Sequence, residues 1–141
     1  MIRYLLDSNV LSEAVKLTPN LNVMRQLTTH DGEICTASLV WGEMLYGLYR
    51  MRESSRRRDL EHYLFNTLRA RLAILPFDQR AAEWHASERA RLGGIGLTPP
   101  FVDGQIAAVA FVNNLILVTA NTEDFSNFND LRIEDWTRSN P

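Results

Sequence analysis

Short apolar runs alternate with amphipathic stretches along this chain, and polar or glycine- and proline-containing breaks separate them. Residues 2–6 form an apolar run ending at Asp7, which predicts a first strand buried in a parallel sheet. A helical pattern follows from Ser8 to about Lys16, where Thr18-Pro19-Asn20 breaks it, and a second helix is expected over 21–29. His30-Asp31-Gly32 turns the chain into a strand at 33–36, followed by a helix over 38–50. Along that helix Leu39, Gly42, Glu43, Tyr46 and Gly47 fall on or near one face. Leu60, Leu64 and Leu68 make the stripe of a long amphipathic helix over 53–71. Residues 74–77 read as a short strand kept to a sheet edge by Pro76, after which Asp78 caps a helix reaching about Leu92. The strongest break, 93–100, joins two helices and is read as a functional loop. A helix over 101–113, a strand over 115–119, a helical turn over 122–128, a short strand at 131–133 and an exposed tail with Trp136 complete the pattern. Strands alternating with helices predict an α/β sandwich around a mostly parallel sheet.

Length and composition add limits. At 141 residues, 45% hydrophobic and 23% charged, the chain is expected to form a single domain over 1–141. No apolar stretch approaches the roughly 20 residues that span a bilayer, and no targeting segment opens the chain, so a cytoplasmic location is expected. The lone Cys35 lies in an apolar strand and reads as a buried structural thiol. Net charge is −2, which gives no nucleic-acid signal for the molecule as a whole. Lys16 is the only lysine, however, and Arg50, Arg56, Arg57 and Arg58 belong to a local cluster of arginines. The planar guanidinium fork suits phosphate, while a solvated helix face is the plainer reading.

Four acids stand where strands end or helices begin: Asp7, Glu43, Asp103 and Asp124. Singly, Asp7 can cap a helix, and Asp103 and Asp124 can favour the positive end of one. Glu43 differs, because it lies among Trp41, Met44 and Leu45, where a solvated charge is not expected. Open α/β sheets bind ligands beyond the carboxyl ends of their strands, which would gather all four acids at one edge. Carboxylates so gathered repel one another and call for a cation, and hard oxygen donors suit Mg2+ or Mn2+. His30, His62 and His85 show no metal-ligand spacing and read as surface or helix-packing residues. The glycines at 93–96 lack the lysine and preceding strand of a phosphate-binding loop.

Leu5-Leu6-Asp7-Ser8-Asn9-Val10-Leu11-Ser12-Glu13, Glu43 with Gly47, Asp103-Gly104-Gln105-Ile106-Ala107-Ala108 and Thr119-Ala120-Asn121-Thr122-Glu123-Asp124-Phe125 occur in this order. With the closing Arg132-Ile133-Glu134-Asp135-Trp136, they resemble the PIN-domain ribonucleases, and within them the VapC-type toxins. The resemblance implies a PIN-like α/β/α sandwich with a central sheet of four to five strands. It implies a Mg2+- or Mn2+-dependent endoribonuclease whose metal site is Asp7, Glu43, Asp103 and Asp124, supported by Ser8, Asn9, Thr119 and Asn121. RNA cleaved to a 5′-phosphate and a 3′-hydroxyl is the implied chemistry; Arg50, Arg56, Arg57 and Arg58 are candidate RNA contacts by their charge and guanidinium shape, not by the resemblance. A homodimer capped by a VapB-like antitoxin with its own DNA-binding domain is the implied assembly. Ala120 departs from the arginine these toxins commonly carry there. Two other readings stay open: a dimerising component of a DNA-binding complex with little nuclease activity, and a phosphatase with Asp7 as nucleophile. The latter lacks a second acid two residues on.

Overall fold

The computed structural model describes residues 1–138, so the last three residues of the expected domain lie outside the described part. Five short strands make one sheet: β1 (Tyr4–Leu6), β2 (Ile34–Ala37), β3 (Ala73–Leu75), β4 (Ile116–Val118) and β5 (Ile133–Glu134). They lie in the order β3-β2-β1-β4-β5, and every neighbouring pair is parallel. β1 is buried throughout, as an apolar strand in the middle of such a sheet must be. Tyr4 pairs with Ile34 on one side and Ile116 on the other. β3 sits at the edge, where the residue after it, Pro76, removes no ladder hydrogen bond from a central position.

The helices cover both ways along the chain: α1 (Ser8–Leu11) runs into a 3-10 turn (Ser12–Val15), then come α2 (Leu21–Thr29) and α3 (Ser38–Arg50). The helix expected over 53–71 is three consecutive pieces, α4 (Ser55–His62), a π-helical stretch (Tyr63–Leu68) and α5 (Arg69–Arg71). The wider π turn still turns Leu64 and Leu68 into the core. α6 (Gln79–Gly94), capped by the Asp78 carboxylate on the Ala81 N–H at 3.0 Å, runs two residues past the expected end. The break therefore starts at Ile95, and Gly96 takes it up with φ of +78°. α7 (Phe101–Val112) is the central apolar helix and packs along α6, and α8 (Thr122–Phe125) is one short turn.

The C-terminal segment departs most from expectation. Trp136 is 3% exposed rather than part of an open tail. Its ring stacks on His30 at 5.4 Å and meets Tyr4 edge-on at 5.2 Å, while its Nε1 donates to Glu134 Oε1 at 3.0 Å. His30 is thus half-buried in this aromatic trio and pairs through Nδ1 with Glu33 at 3.1 Å. Among the described residues no helix is long and apolar enough to cross a membrane.

Candidate active site

The chain builds the sheet outward from β1, first through β2 to β3, then on the opposite side through β4 to β5. The switch point lies between β1 and β4, and ligands of open α/β sheets bind beyond the strands at such a point. Asp7 follows β1 directly and is 5% exposed, with its N–H donating to the Val118 carbonyl at 3.0 Å. Its Oδ1 accepts from the Ser8 N–H at 2.8 Å, so it does cap α1. Its Oδ2 accepts from the Thr119 hydroxyl at 2.9 Å and from Asn9 Nδ2 at 3.4 Å. Thr119 is wholly buried, and its Oγ1 also accepts from the Asn121 N–H at 3.1 Å and Asn9 Nδ2 at 3.3 Å. Asn9 Oδ1 in turn accepts from the Ala120 N–H at 3.0 Å, which ties the end of β4 to α1. Asn121 enters this network through its backbone.

Glu43 lies in the second turn of α3 and is exposed, against the expectation drawn from its apolar neighbours in sequence. Trp41, Met44 and Leu45 turn toward the core on the other side of the helix, which leaves Glu43 at the rim. Its Oε2 accepts from the Ser8 hydroxyl at 3.4 Å. Loss of water on its inner side raises its pKa, repulsion from Asp7 adds to this, and the Ser8 bond opposes both. Asp103 occupies the first turn of α7, half-buried, and Asp124 lies exposed on α8. The Asp103 carboxyl is pushed up to about 6, by burial first and then by the charges of Asp7, Asp124 and Glu43. Asp7, Asp124 and Glu43 therefore all act on Asp103, and Asp7 acts on Glu43 as well. Among the described residues, no three acid, histidine or cysteine side chains close into a ligand cage. The arrangement is an open acidic mouth.

Packing behind this mouth involves residues that the sequence pattern did not single out as positioning groups. His85 of α6 is buried between Phe77 and Phe101, at ring separations of 5.9 and 4.9 Å, and its Nε2 has no hydrogen-bond partner. It presses against Gly104, the residue after Asp103: a Cβ there would stand 2.8 Å from the imidazole. Glu88, also buried, takes the Asn129 N–H at 2.7 Å and both forks of Arg91, whose guanidinium donates to the Asn127 carbonyl at 2.9 Å. α6 thus fixes the segment that follows Asp124. The only sequence signal was the spacing of Glu88 and Arg91 at i, i+3. Burial pushes the Cys35 thiol up to about 12, so it stays protonated and inert.

The basic candidates divide. Arg57 is half-buried, donating to the Met51 carbonyl at 3.1 Å, and holds the α3–α4 corner. Arg50, Arg56 and Arg58 are exposed, and Arg50 lies over the Tyr46 ring at 5.1 Å.

The raised Asp103 value has a pH consequence. Its folded value of about 6 lies above the ordinary 3.8, so protonation favours the metal-free fold. That contribution is fully present below about pH 4 and is lost as pH rises through about 6. A divalent cation at the mouth reverses the preference and displaces the proton. Melting curves are therefore expected to show a larger Mg2+- or Mn2+-induced gain near about pH 7.5 than near about pH 5. Equal gains at both would contradict a site built on Asp103.

Residues 4–131 match the PIN domain family. The tRNA(fMet)-specific endonuclease VapC of Shigella flexneri is 29% identical over 137 residues, covering 97% of this chain and 100% of the relative. The structure of FitAB bound to an IR36 DNA fragment contains a chain with a TM-score of 0.89 and 25% identity, covering 98% of both chains. DNA-bound VapBC from Salmonella typhimurium gives a TM-score of 0.84 at 26% identity, over 96% of this chain and 99% of the other. With the parallel sheet, the acids at its switch point and a family match over nearly its whole length, this chain belongs to the PIN-domain family.

Proposed function

We propose that the chain is a divalent-metal-dependent endoribonuclease, the toxin of a VapBC-like toxin–antitoxin module. The observation that supports this reading is that Asp7, Asp124 and Glu43, from three other segments, all act on Asp103, whose carboxyl is raised by burial first and then by their charges. In kind the donors suit Mg2+ or Mn2+, being all oxygen and all acidic, and among the described residues no three of them close into a preformed cage. Asp7 and Asp103 would hold the ion, with Glu43 and Asp124 at the rim. When bound, such an ion offsets negative charge building on the phosphate and makes water more acidic. Water adds to phosphorus and gives up a proton, the bond from phosphorus to the 3′ oxygen breaks, and that oxygen takes up a proton, which leaves a 5′-phosphate and a 3′-hydroxyl. Thr119 and Asn9 fix the Asp7 carboxylate so that one geometry is presented, and Ser8 does the same for Glu43.

The related structures of FitAB and VapBC bound to DNA support an antitoxin partner for this chain; that this antitoxin is VapB-like with its own DNA-binding domain, and that the chain is a homodimer, are further parts of the proposal. A groove of about 880 Å³ that none of the four acids lines has Val15, Leu17, Met51 and Leu60 along it with Lys16, Arg56 and Asp59, and offers apolar seating with charged edges for a peptide segment of that partner.

The test is incubation of the purified chain with RNA in Mg2+ or Mn2+ and, in parallel, in EDTA. Cleavage with 5′-phosphate ends in metal alone is expected. Undiminished cleavage in EDTA would sink the metal reading, and intact RNA throughout would leave the chain a binding component of its complex.

A further inference from the structure

α3 carries two glycines that the fold does not use. Gly42 and Gly47 each have nothing within 4 Å of where a Cβ would stand, so neither is required by packing. Glycine inside a helix costs stability relative to alanine, and the residue is otherwise favoured where a ligand approaches the backbone closely. Both flank Glu43, and helical side chains lean toward the N-terminus.

Tyr46 is 62% exposed, which is unusual for so large an aromatic ring. The Arg50 guanidinium sits over the ring at 5.1 Å and carries a positive charge to the end of the same face. Glu43, Tyr46 and Arg50 follow at i, i+3 and i+7, so the face runs about 10 Å from the acidic mouth to Arg50. A stacking ring, then a cation, beside bared helix backbone is the layout of a track for single-stranded nucleic acid.

We propose that this face of α3 is a subsite for single-stranded RNA, in which Tyr46 stacks a base beside the scissile phosphate and Arg50 takes a neighbouring phosphate. The proposal rests on the nuclease reading for the position of the scissile bond. A protein partner is the competing occupant, but continuity with the acidic mouth and the Arg50 charge favour RNA.

The experiment is fluorescence anisotropy of a short fluorescein-labelled single-stranded RNA, with Ca2+ replacing Mg2+, alongside melting curves and cleavage in Mg2+. Tyr46→Ala is expected to weaken binding about tenfold or more, and Tyr46→Phe to stay within about twofold of wild type. Arg50→Gln is expected to flatten the salt dependence by about one contact. Gly42→Ala and Gly47→Ala are expected to raise the melting temperature by about 2–4 °C yet weaken RNA binding severalfold. Unchanged RNA binding in Tyr46→Ala and both glycine variants overturns the proposal, as does a wild-type chain that binds no RNA. Binding differences without any cleavage would keep Tyr46 and Arg50 as an RNA-binding track but remove the nuclease reading and the placement beside a scissile phosphate; cleavage without binding differences removes the track and keeps the nuclease.

Discussion

Replacing Asp7 by Asn is expected to lower metal-dependent RNA cleavage by about 10²–10³-fold or more, the scale of losing one group that stabilises transition-state charge. The substitution keeps the shape of the side chain and removes its charge. Asp7 accepts hydrogen bonds on both oxygens, from Ser8 on one and from Thr119 and Asn9 on the other. Asparagine supplies one acceptor and one donor, so one of these contacts is lost or must turn round. The charge matters more, because Asp7 is the most buried of the four acids and stands first among the carboxylates that hold Asp103 up. Two readouts check this: the cleavage rate, and the Asp103 carboxyl followed by NMR across pH, which should move back toward 3.8. Cleavage at the wild-type rate would remove Asp7 from the site.

Gly104→Ala is expected to destabilise the fold by about 1–3 kcal/mol and to cut activity about a hundredfold. The added methyl meets the His85 ring at 2.8 Å, and the imidazole has Phe77 and Phe101 against it. The strain falls on the start of α7, where the neighbouring residue is Asp103, so the carboxylate shifts with the backbone. His85→Ala in the same chain makes room for the methyl and is expected to recover much of both losses. Denaturant unfolding and cleavage rates of the two single variants and the double variant form a closed cycle. Additive losses would show that His85 and Gly104 do not act on each other.

Much of this architecture was legible in the sequence because its parts are local. The apolar run before Asp7 dictated a central strand, Pro76 kept its segment to the edge, and Asp78 capped its helix. The four acids stood out as a set because each follows a strand or lies near a helix start. Their unequal burial was not legible: Asp7 is enclosed while Glu43 opens to solvent, which depends on how α3 rolls against the core. Trp136 escaped for a similar reason. Its cover comes from Tyr4 and His30, more than a hundred residues away in the chain, and no local period announces such a contact. The π turn at Tyr63–Leu68 also left no mark, since the leucine stripe reads the same for a regular helix.

The strand order has a consequence for synthesis. β1 lies between β2 and β4, so the mouth combines residues from the first tenth of the chain with residues near its end. A ribosome delivers Asp7, Glu43 and Asp103 before Thr119 and Asp124 exist, and chains grow at about 5–20 residues per second. Until β4 pairs with β1, the Asp7 carboxylate lacks the hydroxyl that orients it. The acidic mouth is thus incomplete until β4 has been made and has taken its place beside β1.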